Sequence, residues 1–123
     1  MNVAHDPQLL KGVLSLLLLW LLAERESYGY ELVQRLRQLG LTGIAEGTVY
    51  PALARLEREG RLTTRLVPSR SGPARKYYRP SGEGYQALDH GAAAWKSLAE
   101  IVTPVLETPA PAEPAPPEEE TAR

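Results

Sequence analysis

The sequence predicts a mainly α-helical fold with one small β-hairpin. Three observations carry this prediction. Apolar residues recur at helical spacing in four segments, the spacing changes to strict alternation between Gly60 and Pro80, and prolines crowd the last sixteen of the 123 positions. The length fits one folded unit of ~105 residues followed by an extended tail.

The first helix is predicted over Gln8–Glu24 and is apolar on every side. One small domain seldom encloses a helix completely, so we expect a second copy of the chain to cover part of it. The longest apolar run, Val13–Ala23, is 11 residues with Ser15 inside it, whereas a membrane span needs about 20. No small-residue cleavage site follows it. These features predict a soluble, cytoplasmic protein without a membrane segment.

The second helix is predicted over Tyr28–Leu39, with leucine and valine facing inward and polar side chains such as Arg35 facing outward. The third helix is predicted over Glu46–Glu59, and Gly60 is expected to end it. Proline fits best in the first turn of a helix, where its missing N–H has no partner to lose. Pro51 therefore predicts a start near residue 47 or 48, with Thr48 as the candidate N-cap.

A hairpin follows, with strands over 62–67 and 74–79 joined by the turn-rich loop 68–73. Residues 60–82 hold no acidic side chain and six basic ones: Arg61, Arg65, Arg70, Arg75, Lys76 and Arg79. The hairpin is therefore expected to have a positively charged tip. Pro80 ends the second strand, and Ser81 is expected to cap the fourth helix, with Gly84 an awkward early residue in it.

The fourth helix carries a narrow apolar seam whose members are spaced alternately three and four residues apart: Tyr85, Leu88, Ala92, Trp95, Ala99, Val102 and Leu106. Such a seam is typical of a helix that pairs with another helix, and an ordinary amphipathic helix packed on its own domain is the alternative. Pro104 is expected to kink or end it. The sequence then divides into a folded domain over 1–80, a predicted dimerisation helix over 81–107 and a disordered, acidic, proline-rich tail over 108–123.

The predicted order is helix, helix, turn, helix, hairpin and long helix. This order describes a winged helix-turn-helix with a C-terminal dimerisation helix. In that fold the third helix enters the major groove and the hairpin, or wing, follows the DNA backbone or minor groove.

Several motifs resemble the PadR family of transcriptional regulators. The letters Y-G-Y-E-L at 28–32 resemble the family's H-G-Y-E-I, and G-T-V-Y-P-A-L-A-R-L-E-R-E-G at 47–60 is similar to its G-T-L-Y-P-A-L-x-R-L-E-x-x-G. R-K-Y-Y-R at 75–79 resembles the second wing strand, and Trp95 falls where the family places a tryptophan. The chain departs from the pattern at Tyr28, at Pro80-Ser81 and in the tail.

The third helix is expected to bury Val49, Leu53 and Leu56 and to present its opposite arc to DNA. The candidate DNA contacts are Thr48, Tyr50, Pro51, Ala54, Arg55 and Arg58 on this helix and Arg70, Arg75 and Lys76 in the hairpin. Two alternatives stay open. Arg55 and Arg58 would instead pair with Glu59 or Glu31, and Tyr50 would be a core-edge residue whose hydroxyl is satisfied internally.

The resemblance also implies a homodimer, a repressor that binds a pseudo-palindromic operator on double-stranded DNA, and a small aromatic or lipophilic effector held near Trp95. The candidate dimer interface is Leu14, Leu17, Leu18, Leu88, Ala92, Trp95, Ala99 and Val102, and the candidate effector site is Trp95 with Leu14 and Leu18. The alternative for Trp95 is a packing role alone.

Two other classes of protein compete with this interpretation. An enzyme is disfavoured because there is no cysteine, no glycine-rich phosphate loop and no partner at a suitable spacing for His5 or His90. We expect no metal and no cofactor. The second alternative is a winged-helix module that binds only other proteins, against which the acid-free wing argues.

Overall fold

The structure, a computed structural model, describes residues 6–117. Within them the chain forms four helices and one three-stranded antiparallel sheet, which confirms the predicted fold class. The elements are α1 (Pro7–Glu24), β1 (Ser27–Tyr28), α2 (Gly29–Leu39), α3 (Glu46–Arg58), β2 (Leu62–Val67), β3 (Arg75–Pro80) and α4 (Gly82–Glu107). The strand order is β1-β3-β2, so the wing hairpin is extended by a short third strand. His5 and residues 118–123 of the tail lie outside the described residues.

Helix α1 forms the centre of the core. Asp6 caps it by accepting a hydrogen bond from the backbone N–H of Gln8 at 2.8 Å, and Pro7 occupies the first helical position. Six leucines of α1 are buried: Leu10, Leu14, Leu18, Leu19, Leu21 and Leu22. By length and composition α1 is also apolar enough to cross a membrane. Its leucines are instead packed against α2, α3 and the sheet, as in the core helix of a folded domain.

Strand β1 and the burial of Arg35 were not predicted from the sequence. The first residues of the predicted second helix pair with β3, with Ser27 opposite Tyr78 and Tyr28 opposite Tyr77. Arg35, expected on the outer face, is 6% exposed. Its guanidinium donates to Ser27 Oγ at 2.8 Å and to Glu24 Oε1 at 2.6 Å, so it ties the end of α1 to β1 and α2.

Helix α3 spans the range expected from the sequence, but it starts one or two residues before the start at 47 or 48 that Pro51 predicted. The helix begins at Glu46 and the N-cap is Ala45, whose side chain makes no cap, so Thr48 is the third helical residue. Pro51 therefore lies inside the helix and leaves the carbonyl of Gly47 without its usual donor. Gly47 and Pro51 are both exposed, so water can satisfy that carbonyl. The backbone N–H groups of Thr48 and Val49 both bond to the carbonyl of Ala45, which fixes the earlier start.

The junctions around the hairpin follow the prediction. Gly60 has φ +79°, and the N–H groups of Gly60 and Arg61 donate to the carbonyls of Glu57 and Leu56, which closes α3. Ser81 caps α4 by accepting from the N–H of Gly84 at 3.1 Å. Gly84 is required rather than awkward, because a side chain there would clash with the carbonyl oxygen of Arg61 and lie 3.1 Å from Cβ of Pro80.

Helix α4 packs on α1 and then continues alone. Gly91 permits the close crossing, since a Cβ atom there would lie 2.8 Å from Cδ1 of Leu16. The expectation that Pro104 would end the helix was wrong, because α4 runs through it to Glu107. From Thr108 to residue 117 the described part of the tail is exposed and forms no helix or strand.

Candidate nucleic-acid interface

One side of α3 faces solvent, as the sequence predicts. Val49, Leu53 and Leu56 are completely buried. The opposite side, here called the recognition face, consists of Gly47, Thr48, Tyr50, Pro51, Ala54, Arg55 and Arg58, and all of these residues are exposed. Gly47, Pro51 and Ala54 are small, so the helix axis can approach another surface closely along this line.

On one flank, the recognition face meets α2 and the wing. The ring of Tyr50 lies against the backbone of Gly29, where a Cβ atom would come within 2.8 Å of Tyr50 Cζ. Tyr50 is still 40% exposed, and its hydroxyl makes no hydrogen bond within residues 6–117. Partial burial, with the nearby Glu46 carboxylate, raises the pKa of the Tyr50 phenol. The hydroxyl is therefore free to contact a ligand, in contrast to the internally satisfied alternative.

The wing carries cations at its tip and along β3. Arg70 is exposed at the tip and has no ion pair within residues 6–117. The guanidinium of Arg75 lies over the ring of Tyr28, 4.5 Å from its centroid, and that ring packs edge-to-face with Tyr77. Lys76 donates to Glu57 of α3 at 2.9 Å, and this hydrogen bond raises the Lys76 pKa. The Lys76–Glu57 pair ties the wing to α3 and leaves Lys76 less available than Arg70.

Farther from α3, Arg65 of β2 donates to Glu26, with Nε 3.0 Å from Oε2. The hydrogen bond from Arg65 lowers the pKa of the Glu26 carboxyl. This pair links the loop before β1 to the outer strand of the wing, so Arg65 supports the wing rather than extending its free positive charge.

On the other flank, the recognition face meets α1 across a cleft of about 450 Å³, here called the α1–α3 cleft. Arg55 donates to Ser15 Oγ of α1 at 3.3 Å, and Arg58 lines the same cleft. The predicted alternative partners are engaged elsewhere, since Glu59 lies 3.9 Å from Arg61 and Glu31 bonds to Arg25. Sequence reasoning missed the contribution of α1 to this surface, because no local pattern places Ser15 beside Arg55.

A second cleft of about 400 Å³, the α1–α4 cleft, contains Trp95. The predicted companions of Trp95 were wrong: Leu14 and Leu18 are 4% and 0% exposed and belong to the domain's own core. They are therefore not available to an effector or to a partner chain. The α1 residues that line this cleft with Trp95 are Gly12, Val13, Ser15, Leu16 and Leu19, of which Leu19 is itself buried in the core.

The remaining residues of the candidate dimer interface divide into two groups. Leu17 and Leu88 are partly buried against the domain's own core, and Ala92 and Ala99 are partly covered. Trp95 and Val102 are exposed. The structure adds apolar residues that the seam did not include: Leu98, Ile101 and Val105 are 53%, 68% and 65% exposed. They lie beside the seam, so α4 presents a broad apolar face rather than a narrow stripe.

Among residues 6–117 no three His, Asp or Glu side chains are grouped so as to hold a metal ion. The exposed cations and small residues of the recognition face, with a wing on one flank, define instead the winged helix-turn-helix class of DNA-binding proteins.

Comparison with known proteins specifies the family. Residues 18–90 match the transcriptional regulator PadR-like family, and the chain belongs to this family. Regulators of this family bind DNA, typically as dimers, and are not enzymes. The chain is accordingly a PadR-family transcriptional regulator.

Individual relatives agree with this assignment. The chain is 38% identical over 82 residues to the transcriptional regulator Rv3488 of Mycobacterium tuberculosis, covering 65% of this chain and 73% of the relative. The crystal structure of a PadR-like regulator from Bacillus cereus superposes with a TM-score of 0.74 at 35% identity, covering 83% of this chain and 99% of the other. A PadR-family regulator from Eggerthella lenta gives 0.73 at 38% identity, with coverages of 83% and 88%.

Proposed function

We propose that this protein is a cytoplasmic, homodimeric repressor that binds a pseudo-palindromic operator and blocks a promoter sterically. The observation that carries the proposal is the exposed recognition face of α3, with free or partly free cations on both flanks. Small residues along its centre allow close approach to base edges, and the flanking cations suit the phosphate backbones on either side of the groove.

In this proposal the contacts divide by role. Ala54 meets base edges in the major groove, and Arg55 and Arg58 reach guanine or phosphate. Thr48 and Tyr50 lie near the N-terminus of α3, where the helix dipole favours phosphate. Arg70 and Arg75 of the wing follow the backbone or enter the minor groove.

The apolar face of α4 supports the dimer. Trp95, Leu98, Ile101, Val102, Val105 and Leu106 are all more than a third exposed. An apolar face of this extent is uncommon on a soluble monomer and marks a surface that another chain covers. A two-fold dimer would place two copies of α3 one helical turn of DNA apart.

Salt dependence tests the proposal. If each protomer neutralises three or four phosphates, a dimer neutralises about six to eight, and affinity should fall by roughly 10³-fold or more between 50 and 200 mM salt. A mobility-shift titration with genomic fragments measures this slope and also recovers the operator. Binding that is absent, or unchanged by salt, with every duplex would contradict the proposal and favour the protein-binding alternative.

Two substitutions separate positioning contacts from base contacts. Arg70→Ala should weaken binding to all duplexes alike, because Arg70 lies at the wing tip, where it meets only backbone. Ala54→Asp should instead abolish preference for the operator, since it places a charge at the centre of the recognition face. Equal losses on operator and random duplex for both variants would contradict this division of roles.

An effector site at the α1–α4 cleft completes the proposal. The exposed indole of Trp95 and the side chains of Leu16 and Leu98 give an apolar, weakly selective wall suited to a planar aromatic compound. In a Trp20→Phe background, a planar aromatic cation should quench the fluorescence of Trp95 and release DNA. Release without quenching would place the effector elsewhere, and quenching without release would leave Trp95 a packing residue.

A further inference from the structure

The α1–α3 cleft has no assigned role, although it opens directly beside the recognition face. It is lined by Lys11 and Ser15 from α1 and by Thr48, Pro51, Arg55 and Arg58 from α3, above a floor that includes Leu10 and Leu14. No acidic residue is among the residues that line it. The cleft therefore combines three cations and two hydroxyl groups with an apolar floor.

Two of the three cations are unengaged. Lys11 is exposed and, like Arg58, makes no hydrogen bond or ion pair with any residue between 6 and 117. The third, Arg55, donates to Ser15 Oγ at 3.3 Å, a contact that holds its guanidinium toward α1. Cations that lack acidic partners and share one cleft are suited to an external anion.

The position of the cleft specifies which anion. The recognition face has the wing, with Arg75 and Lys76, on one flank and the α1–α3 cleft on the other. A helix seated in the major groove has a phosphate backbone on each side, because the groove is ~12 Å wide and a helix with its side chains is about as wide. If the wing meets one backbone, the cleft faces the other.

We propose that the α1–α3 cleft is a binding site for a DNA backbone phosphate, with Lys11 as its principal ligand. This inference rests on the proposed DNA-binding function and deepens it, since it makes α1 part of the DNA interface. Lys11 and Arg58 neutralise the phosphate, Ser15 positions Arg55 beside it, and the buried side chains of Leu10 and Leu14 close the floor of the cleft beneath them. In the dimer, each copy of α3 would then be flanked by two backbone contacts, one from the wing and one from the α1–α3 cleft.

The test compares Lys11→Gln with Lys96→Gln, which removes the same charge from an exposed position on α4 outside the cleft. On one operator duplex we expect Lys11→Gln to lower affinity roughly 5- to 30-fold at 100 mM salt. The salt slope should fall by about 1.8 per dimer, two phosphates at ~0.9 each. Lys96→Gln should change neither, and Lys11→Arg should restore the slope. Thermal unfolding of each variant checks that the fold is intact.

A duplex series with one neutral methylphosphonate at each linkage in turn locates the contact. The wild-type protein should lose affinity at a linkage where Lys11→Gln is insensitive. Equal slopes for Lys11→Gln and the wild type, or equal losses for Lys11→Gln and Lys96→Gln, would overturn the inference while leaving DNA binding itself established. Absence of salt-dependent binding by the wild type would instead refute the proposed function.

Discussion

At the scale of single residues, the least predictable positions are those where two distant segments touch. Arg35 belongs to the polar pattern of α2, yet it is buried because Ser27 and Glu24 supply acceptors for its guanidinium. A buried arginine needs such partners, and nothing in the local sequence shows that they are present. Gly84 is a similar case. Glycine is required at this position because a Cβ atom would clash with the carbonyl oxygen of Arg61, which lies in a different segment of the chain.

Gly84→Ala should lower the free energy of unfolding by about 1–3 kcal/mol, since the added methyl group forces the start of α4 away from Arg61 and Pro80. Urea unfolding at equilibrium measures the change. The matched control is Gly82→Ala in the same turn, where an added Cβ meets no atom within 4 Å among the described residues and stability should be unchanged or slightly higher. Similar losses for both variants would mean that helix entropy, rather than the close contact, determines the effect.

At the scale of elements, sequence patterns located every helix and both strands of the wing. Apolar periodicity is strong where an element has one buried side, as in α3 with Val49, Leu53 and Leu56. The first and last residues of the helices were predicted less accurately than their existence. Pro51 indicated a later start for α3, but the exposed position of Gly47 lets the helix tolerate a proline in its second turn.

The tail is predicted to contribute nothing to folding. Thr108 Oγ1 donates to the carbonyl of Pro104 at 3.0 Å, but residues 109–117 are exposed and outside any helix or strand. Removal of every residue after Thr108 should leave the free energy of unfolding unchanged within ~0.5 kcal/mol. Thermal unfolding checks this, with the dimer concentration held fixed. A clear loss of stability would show that the tail packs on the domain or on a partner.

At the scale of the whole molecule, the domain completes its core while the C-terminal half of α4 stays exposed to solvent. Fifteen apolar residues form that core, none of them from α4, and every residue of α4 beyond Ala99 is exposed. Such a helix is stable in water only when another surface covers its apolar face. The uncovered apolar face of α4 therefore supports the proposed dimer, which is also the assembly typical of the family.

Val102→Asp should convert the dimer to monomers at micromolar concentration, because it places a charge at the centre of the apolar face of α4. DNA affinity should fall with it, since a monomer presents one copy of α3 rather than two. Sedimentation equilibrium measures the first effect and mobility shift the second. Ala93→Asp adds the same charge to the opposite, exposed side of α4 and should affect neither. A wild-type protein that sediments as a monomer would refute the dimer.

The sequence by itself determined the class of this protein. Helical and alternating periodicities located the elements, and the motif at 47–60 indicated which helix we expect to meet DNA and which of its sides is exposed. These properties are local, because a residue's neighbours at three and four positions along a helix are fixed by its geometry. For the same reason α3 could be oriented before any tertiary contact was known.

Only the tertiary structure decided which residues flank the recognition face of α3. The wing on one flank and Lys11 and Ser15 of α1 on the other come from segments many residues away, and their meeting depends on how the helices cross. The same crossing assigns Leu14 and Leu18 to the core and leaves Leu16 partly exposed in the cleft with Trp95. A helix that is apolar all round carries no periodic signal to orient it, so only its packing partners could make that choice.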